Sequence, residues 1–213
     1  MDFNDFKYKV SNLTNLELPG VEAQHKLAPI LRIRELEQID FNTKKPNKAG
    51  VMAVFYPNDQ HLTHLVLILR KTYRGVHSNQ VGFPGGRVEV YDKNLKHTAL
   101  RETEEEVGIS KDDVRVIKKL TKLYIPPSDF WVHPYVGLID KTPILKPQES
   151  EVEKILEVNL DDFLDEENLI IQKLSTSYAS EIEVPAYMLN GHVVWGATAM
   201  MLSELKELLK KVL

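Results

Sequence analysis

FPGGRVEVYDKNLKHTALRETEEEVGI, residues 83–109, is the stretch around which the rest of the chain is organised. A glycine turn, Gly85-Gly86, comes first. A polar loop follows, then a short acidic run that ends at Gly108. Asn94 is placed to cap a helix, because its side chain can accept one of the orphan backbone N–H groups. Gly108 fits the left-handed position just past the helix end. At about 100° per residue, Glu102, Glu105 and Glu106 share one face, with Thr98 beside them. Ala99, Leu100, Thr103 and Val107 form an adjacent, more apolar face, which predicts packing on a sheet.

Three carboxylates on one helix face repel one another by a few tenths of a kcal/mol per pair. They also sit toward the helix C-terminus, where the macrodipole disfavours negative charge. Selection for stability alone avoids that arrangement, whereas a divalent cation reverses its sign. Hard cations such as Mg²⁺ take oxygen ligands and share them with substrate phosphates. The alternative is a solvated acidic face, the usual meaning of a charge run. The glycine turn upstream shifts the balance toward a site.

Outward from this stretch, GVMAVFY (50–56) and HLVLILR (64–70) are apolar runs separated by the turn PNDQ, and they predict a hairpin. The unbroken apolar run of the second predicts burial on both faces, hence a sheet between helices. One or two short strands are expected in 114–123, another over 130–138 and the end of one at 158–160. DDFLDEENL (161–169) is expected to be helical. Asn190-Gly191, between two strand-like runs, is a type I′ hairpin signal. Ala199, Leu202, Leu205, Leu209 and Val212 mark a C-terminal amphipathic helix. Phe3, Phe6, Val10 and Leu13 mark an N-terminal one. The segment before Lys48 is expected to be a helical extension packed on the core, with Lys44 to Lys48 a surface loop. The order of elements predicts an α+β fold with a mixed sheet and helices on both sides, in one domain spanning 1–213.

The stretch 83–109 resembles the box of the Nudix hydrolase family, in which a glycine, five residues and a glutamate precede R-E-aliphatic-x-E-E-x-G-aliphatic. Arg101, Glu102, Glu105, Glu106, Gly108 and Ile109 match its second half. Thr103 stands where an aliphatic residue is usual. Gly86 is followed by five residues, Asp92 and then eight residues before Arg101, so an Asp replaces the first Glu and the loop is one residue longer. That longer loop, with FPGG before it and TALRE after it, resembles the coenzyme A pyrophosphatase branch. The resemblance implies an α/β/α sandwich from about Gly50 to the C-terminal helix. It implies Mg²⁺ or Mn²⁺ held by Glu102, Glu105, Glu106 and the backbone carbonyl of Gly85. Arg101, which falls off the main carboxylate face, is expected to pair with a glutamate and fix its geometry. The water-activating base is expected among Glu149, Glu151 and Glu153, with Glu151 placed first.

LILRKTYRGVHSNQVGFPGG (67–86) carries a second resemblance to that branch. Arg70, Arg74, Gln80 and Phe83 match its substrate-binding signature in type. Three residues separate the two arginines, and Asn79 stands where a small residue is usual. Coenzyme A carries a 3′-phosphate besides its diphosphate, and Arg74 is the expected reader of it. His77 and His133 are expected to be packing or loop residues. Tyr187 and Trp195 could stack an adenine, but core packing is the better account.

Composition removes other classes. The chain has 213 residues and a net charge of −4, with Lys and Arg dispersed, so a nucleic-acid polymer is not an expected partner. It has no cysteine, which removes disulfides, thiolate metal sites and a cysteine nucleophile. MDFNDFKYKV lacks the apolar core of a secretory signal, and no apolar run is long enough for a membrane span, so a cytoplasmic protein is expected. The expected reaction is cleavage of coenzyme A or acyl-coenzyme A at the diphosphate. Two alternatives stay open: a Nudix hydrolase for ADP-ribose, NADH or a dinucleotide, and a non-catalytic Nudix-like binding domain. The N-terminal segment could cap the site or pair with a second copy in a homodimer.

Overall fold

The computed structural model describes residues 1–72, 78–174 and 182–213. The N-terminal segment forms α1 (Phe3–Val10), α2 (Gly20–His25) and α3 (Ile30–Glu37). Next come β1 (Asn47–Pro57), β2 (Thr63–Arg70), β3 (Val81–Gly82), β4 (Gly85–Arg87) and α4 (Leu95–Val107). β5 (Arg115–Lys119), β6 (Leu123–Ile125), β7 (Phe130–Leu138), β8 (Val152–Asn159) and α5 (Leu160–Leu164) follow. The chain ends with β9 (Leu169–Leu174), β10 (Ile182–Leu189), β11 (His192–Val194) and α6 (Gly196–Leu209). α3 falls within the helical extension expected before Lys48, β9 has no counterpart in the sequence reading, and the expected loop at Lys44 to Lys48 gives way to β1 at Asn47.

Among the described residues the main sheet is mixed. β1 runs parallel to β7 and antiparallel to β2 and β4, while β8 and β3 extend the sheet from β2. β9, β10 and β11 form a second, antiparallel sheet. Strand alternation sends side chains to opposite layers. Val51, Ala53 and Phe55 enter the larger core with α1 and α6, whereas Met52, Val54 and Tyr56 enter a smaller one under α4. β2 divides likewise, with Leu65 and Leu67 on one side and Val66 and Ile68 on the other, all four fully buried. This two-sided burial makes the α/β/α sandwich, and each such side chain contributes about 1.5–3 kcal/mol.

The N-terminal segment shares the larger core. Phe6 packs on Phe55 with ring centroids 4.9 Å apart. The fully buried Glu204 on α6 accepts from Gln24 Nε2 at 2.9 Å and from Thr121 Oγ1 at 2.6 Å, so its charge is tied to α2 and to the β5–β6 turn. In the β10–β11 turn Asn190 and Gly191 have φ of 50° and 75°, the pair of positive values a type I′ turn requires. No helix of the described residues is long and apolar enough to cross a membrane.

His133 on β7 sits opposite Gly50, and its Nδ1 is buried with no hydrogen-bond partner among the described residues. Burial, reinforced by the charges of Lys119, Lys122 and Lys48, lowers its pKa to about 4. The unfolded chain therefore binds this proton more readily than the folded one between about pH 6.5 and 4. Stability present above pH 6.5 is lost as pH falls through that window, by about 2 kcal/mol. Denaturant unfolding at pH 7 and pH 4.5 should show this loss reduced in His133→Asn. An equal loss in the variant would assign the acid sensitivity to other groups.

Candidate functional site

The site begins where two strands share one edge of β1. β2 pairs with β1 over Phe55–Pro57, and β4 pairs with it over Ala49–Val51. The split brings Arg70, the last residue of β2, beside Gly85, the first of β4. Between them Pro84 accepts the backbone N–H of Met52 at 3.0 Å. Gly85 has φ of 153°, and a Cβ there would lie 2.5 Å from the Gly50 carbonyl oxygen, so no other residue fits.

α4 lies directly on β1. A Cβ on Gly50 would stand 2.3 Å from the Leu95 carbonyl oxygen. The helix is capped as its sequence predicts: Asn94 Oδ1 accepts from His97 N at 3.0 Å, and Gly108 has φ of 75°. Thr103, in the aliphatic position, is buried and donates to the Ala99 carbonyl at 2.7 Å, which removes the cost of its hydroxyl. α4 then lays Glu106 against the glycine turn. Gly85 N donates to Glu106 Oε2 at 2.7 Å, Arg70 Nη1 to Glu106 Oε1 at 3.3 Å, and Arg70 Nη2 to the Gly85 carbonyl at 2.9 Å. Glu106 is only 1% exposed, and this burial pushes its carboxyl up to about 7 against the pull of Arg70 and the Gly85 N–H. Glu102 covers Gly86, where a Cβ would meet its carboxyl carbon at 2.5 Å. Burial also raises the Glu102 pKa, opposed by Arg101.

Arg101 forms a second cluster. Its Nε and Nη2 grip the two oxygens of Asp92 at 3.1 and 3.0 Å. Its Nη1 reaches Glu102 at 2.8 Å and Glu105 at 2.9 Å, and Nη2 also donates to the Arg87 carbonyl at 3.2 Å. The Asp92 side chain is fully buried and further accepts from Glu89 N, His97 Nδ1 and Thr98 Oγ1. Burial alone would raise its pKa, but these donors, Arg101 foremost, hold it well below the carboxylate range.

Residues 46–177 match the NUDIX domain family. The chain belongs to the Nudix hydrolase family. It is 34% identical over 143 residues to the uncharacterized Nudix hydrolase NudL of Photorhabdus laumondii, covering 67% of this chain and 75% of that one. It is 31% identical over 127 residues to the mitochondrial coenzyme A diphosphatase NUDT8 of Homo sapiens, covering 59% of this chain and 54% of that one. Among solved structures, the M. smegmatis Nudix hydrolase RenU aligns with a TM-score of 0.53 at 10% identity, over 79% of this chain and 88% of that one, a likeness of fold.

In this Nudix hydrolase the expected site residues fall into separate settings. Glu102 and Glu106 lie on the glycine turn, while Glu105 is 47% exposed and paired with Arg101. Among the described residues no three acidic or histidine side chains are grouped as a ready-made metal cage; Glu102 and Glu105 pair with Arg101, and Glu106 pairs with Arg70. Arg101 pairs with two of the carboxylates, Glu102 and Glu105, as the resemblance implied. Its backbone lies off their face, but the long side chain, anchored by Asp92, returns to it. Glu151 is exposed in the turn before β8, its carbonyl accepts from Lys71 N at 2.9 Å, and its charge helps raise the pKa of both Glu102 and Glu106.

The substrate-binding set divides further. Arg70 is in the cluster, and the Gln80 carbonyl accepts its backbone N–H at 3.0 Å. Phe83, expected among the substrate-binding residues, is 2% exposed and belongs to the larger core, directly before the glycine turn. Arg74 and His77 lie outside the described residues. Tyr187 is buried, 5.8 Å from Phe163 between ring centroids, in agreement with core packing. Asp92 carries far more of the site than its sequence role suggested; the signal was an acid kept in the box position of the first glutamate.

Proposed function

We propose that this Nudix hydrolase cleaves the diphosphate of coenzyme A or acyl-coenzyme A, giving adenosine 3′,5′-bisphosphate and (acyl-)4′-phosphopantetheine. The observation that carries the reading is the convergence of Glu106, Glu102 and the Gly85 carbonyl at the mouth between β2 and β4. The donors are all oxygens, the set that suits Mg²⁺ or Mn²⁺. Bound there with Glu105 as a further ligand, the metal supplies charge neutralisation for the diphosphate oxygens and a more acidic water. Arg101, held by Asp92, orients Glu102 and Glu105. Arg70, at the same mouth, supplies a guanidinium for a phosphate oxygen. Glu151 is our candidate for the base that takes the proton of the attacking water.

The substrate class is supported by the longer loop from Gly86 to Arg101 and by likeness to a protein named as a coenzyme A diphosphatase. The test is product analysis. The purified protein is incubated with Mg²⁺ or Mn²⁺ and, separately, coenzyme A, dephospho-coenzyme A, ADP-ribose and NADH. Adenosine 3′,5′-bisphosphate should appear fastest, and only with metal. Faster cleavage of ADP-ribose or NADH would keep the metal site and replace the substrate. No cleavage of any of them would remove the assignment to these diphosphates.

A further inference from the structure

Arg70 holds two acceptors of one small cluster. Its guanidinium gives Nη1 to Glu106 and Nη2 to the Gly85 carbonyl, while Gly85 N closes the triangle on the other oxygen of Glu106. A carboxylate as buried as Glu106 is costly to ionise without a cation beside it. The Gly85 carbonyl is held in place by a backbone conformation only glycine tolerates here. One planar guanidinium serves both oxygens, which a compact ammonium would do less well.

We infer that Arg70 is a built-in stand-in cation: in the metal-free protein it occupies the oxygens of Glu106 and Gly85, and it yields them when a divalent cation binds. The inference rests on the metal assignment made under the proposed function. A guanidinium and a divalent ion compete for the same lone pairs and repel each other at contact distance. Metal affinity is then set by exchange against an internal cation as well as by the carboxylates, a negative coupling between the two. The arrangement keeps the ligand oxygens positioned before metal arrives, at the expense of affinity.

The test is Mn²⁺ binding at pH 8 by electron paramagnetic resonance, without substrate, on the native protein and on Arg70→Gln, Arg70→Lys and Glu106→Gln. Arg70→Gln should bind Mn²⁺ about tenfold more tightly than the native protein, within the usual range of such couplings. Its melting temperature in EDTA should fall, and Mn²⁺ should raise it by more than in the native protein. Arg70→Lys should lie between the two. If Arg70→Gln fails to fold, Arg70→Lys decides: tighter binding supports the exchange, and equal or weaker binding overturns it. Equal or weaker affinity in a folded Arg70→Gln overturns it as well, and leaves Arg70 a structural or phosphate-binding group. Mn²⁺ affinity unchanged in Glu106→Gln would remove the metal assignment itself and the inference with it.

Discussion

Glu106→Gln should lower turnover by on the order of 10³-fold while the protein stays folded. The side chain is an isostere, and its oxygen can still accept the Gly85 N–H that Glu106 Oε2 accepts at 2.7 Å. It cannot supply the negative charge that the proposed metal site needs. Stability changes little because two effects oppose. The amide removes the cost of ionising a group whose pKa burial has pushed up to about 7. It also presents an NH₂ to Arg70, which then loses a charged acceptor. The two should cancel to within about 1 kcal/mol. Steady-state rates with coenzyme A at saturating Mg²⁺, and unfolding in EDTA, give both numbers. A rate within roughly threefold of the native one would remove Glu106 from the metal-site assignment.

Asp92→Ala should have the largest effect on stability. Arg101 is only 9% exposed, and Asp92 takes two of its hydrogen bonds while also tying Glu89, His97 and Thr98 to the loop. Truncation leaves a nearly buried guanidinium with Glu102 and Glu105 as its remaining carboxylate partners. Removing one member of a buried pair costs about 3–5 kcal/mol, and the remaining partners place this case at about 2–3. For a chain of this size the melting temperature should fall by about 5–10 °C. Because Arg101 orients Glu102 and Glu105, kcat should fall about 10–100-fold with less change in KM. Asp92→Asn, which keeps one acceptor, should recover part of both losses. A midpoint within about 1 °C of the native protein would deny Asp92 its role in holding the loop.

The elements that set their own local geometry were legible in the sequence. Asn94 and Gly108 bound α4 because capping needs a side-chain acceptor and a left-handed residue at fixed offsets. Asn190-Gly191 fixed the β10–β11 turn for a similar reason. The uninterrupted apolar run in β2 announced a sheet covered on both faces. Within the expected N-terminal extension, α3 could not be singled out because it buries none of its residues, so its pattern carries no core signal. β9 was missed because its burial alternates only weakly, and its pairing with β10 is a long-range choice.

The sequence by itself determined the family, the capped acidic helix, the glycine turn and the identity of the carboxylates. Each depends on residues close together in the chain, where spacing translates directly into geometry. The tertiary structure decided how those carboxylates differ. Glu105 is exposed, Glu102 lies on Gly86, and Glu106 is buried against Gly85, because α4 packs closely on Gly50 and turns one side toward the glycine turn. It also decided that Arg70, from the far end of another strand, meets Glu106, and that Phe83 turns into the core. Those outcomes follow from the splitting of β2 and β4 along β1, a pairing between residues distant in sequence that no local pattern encodes.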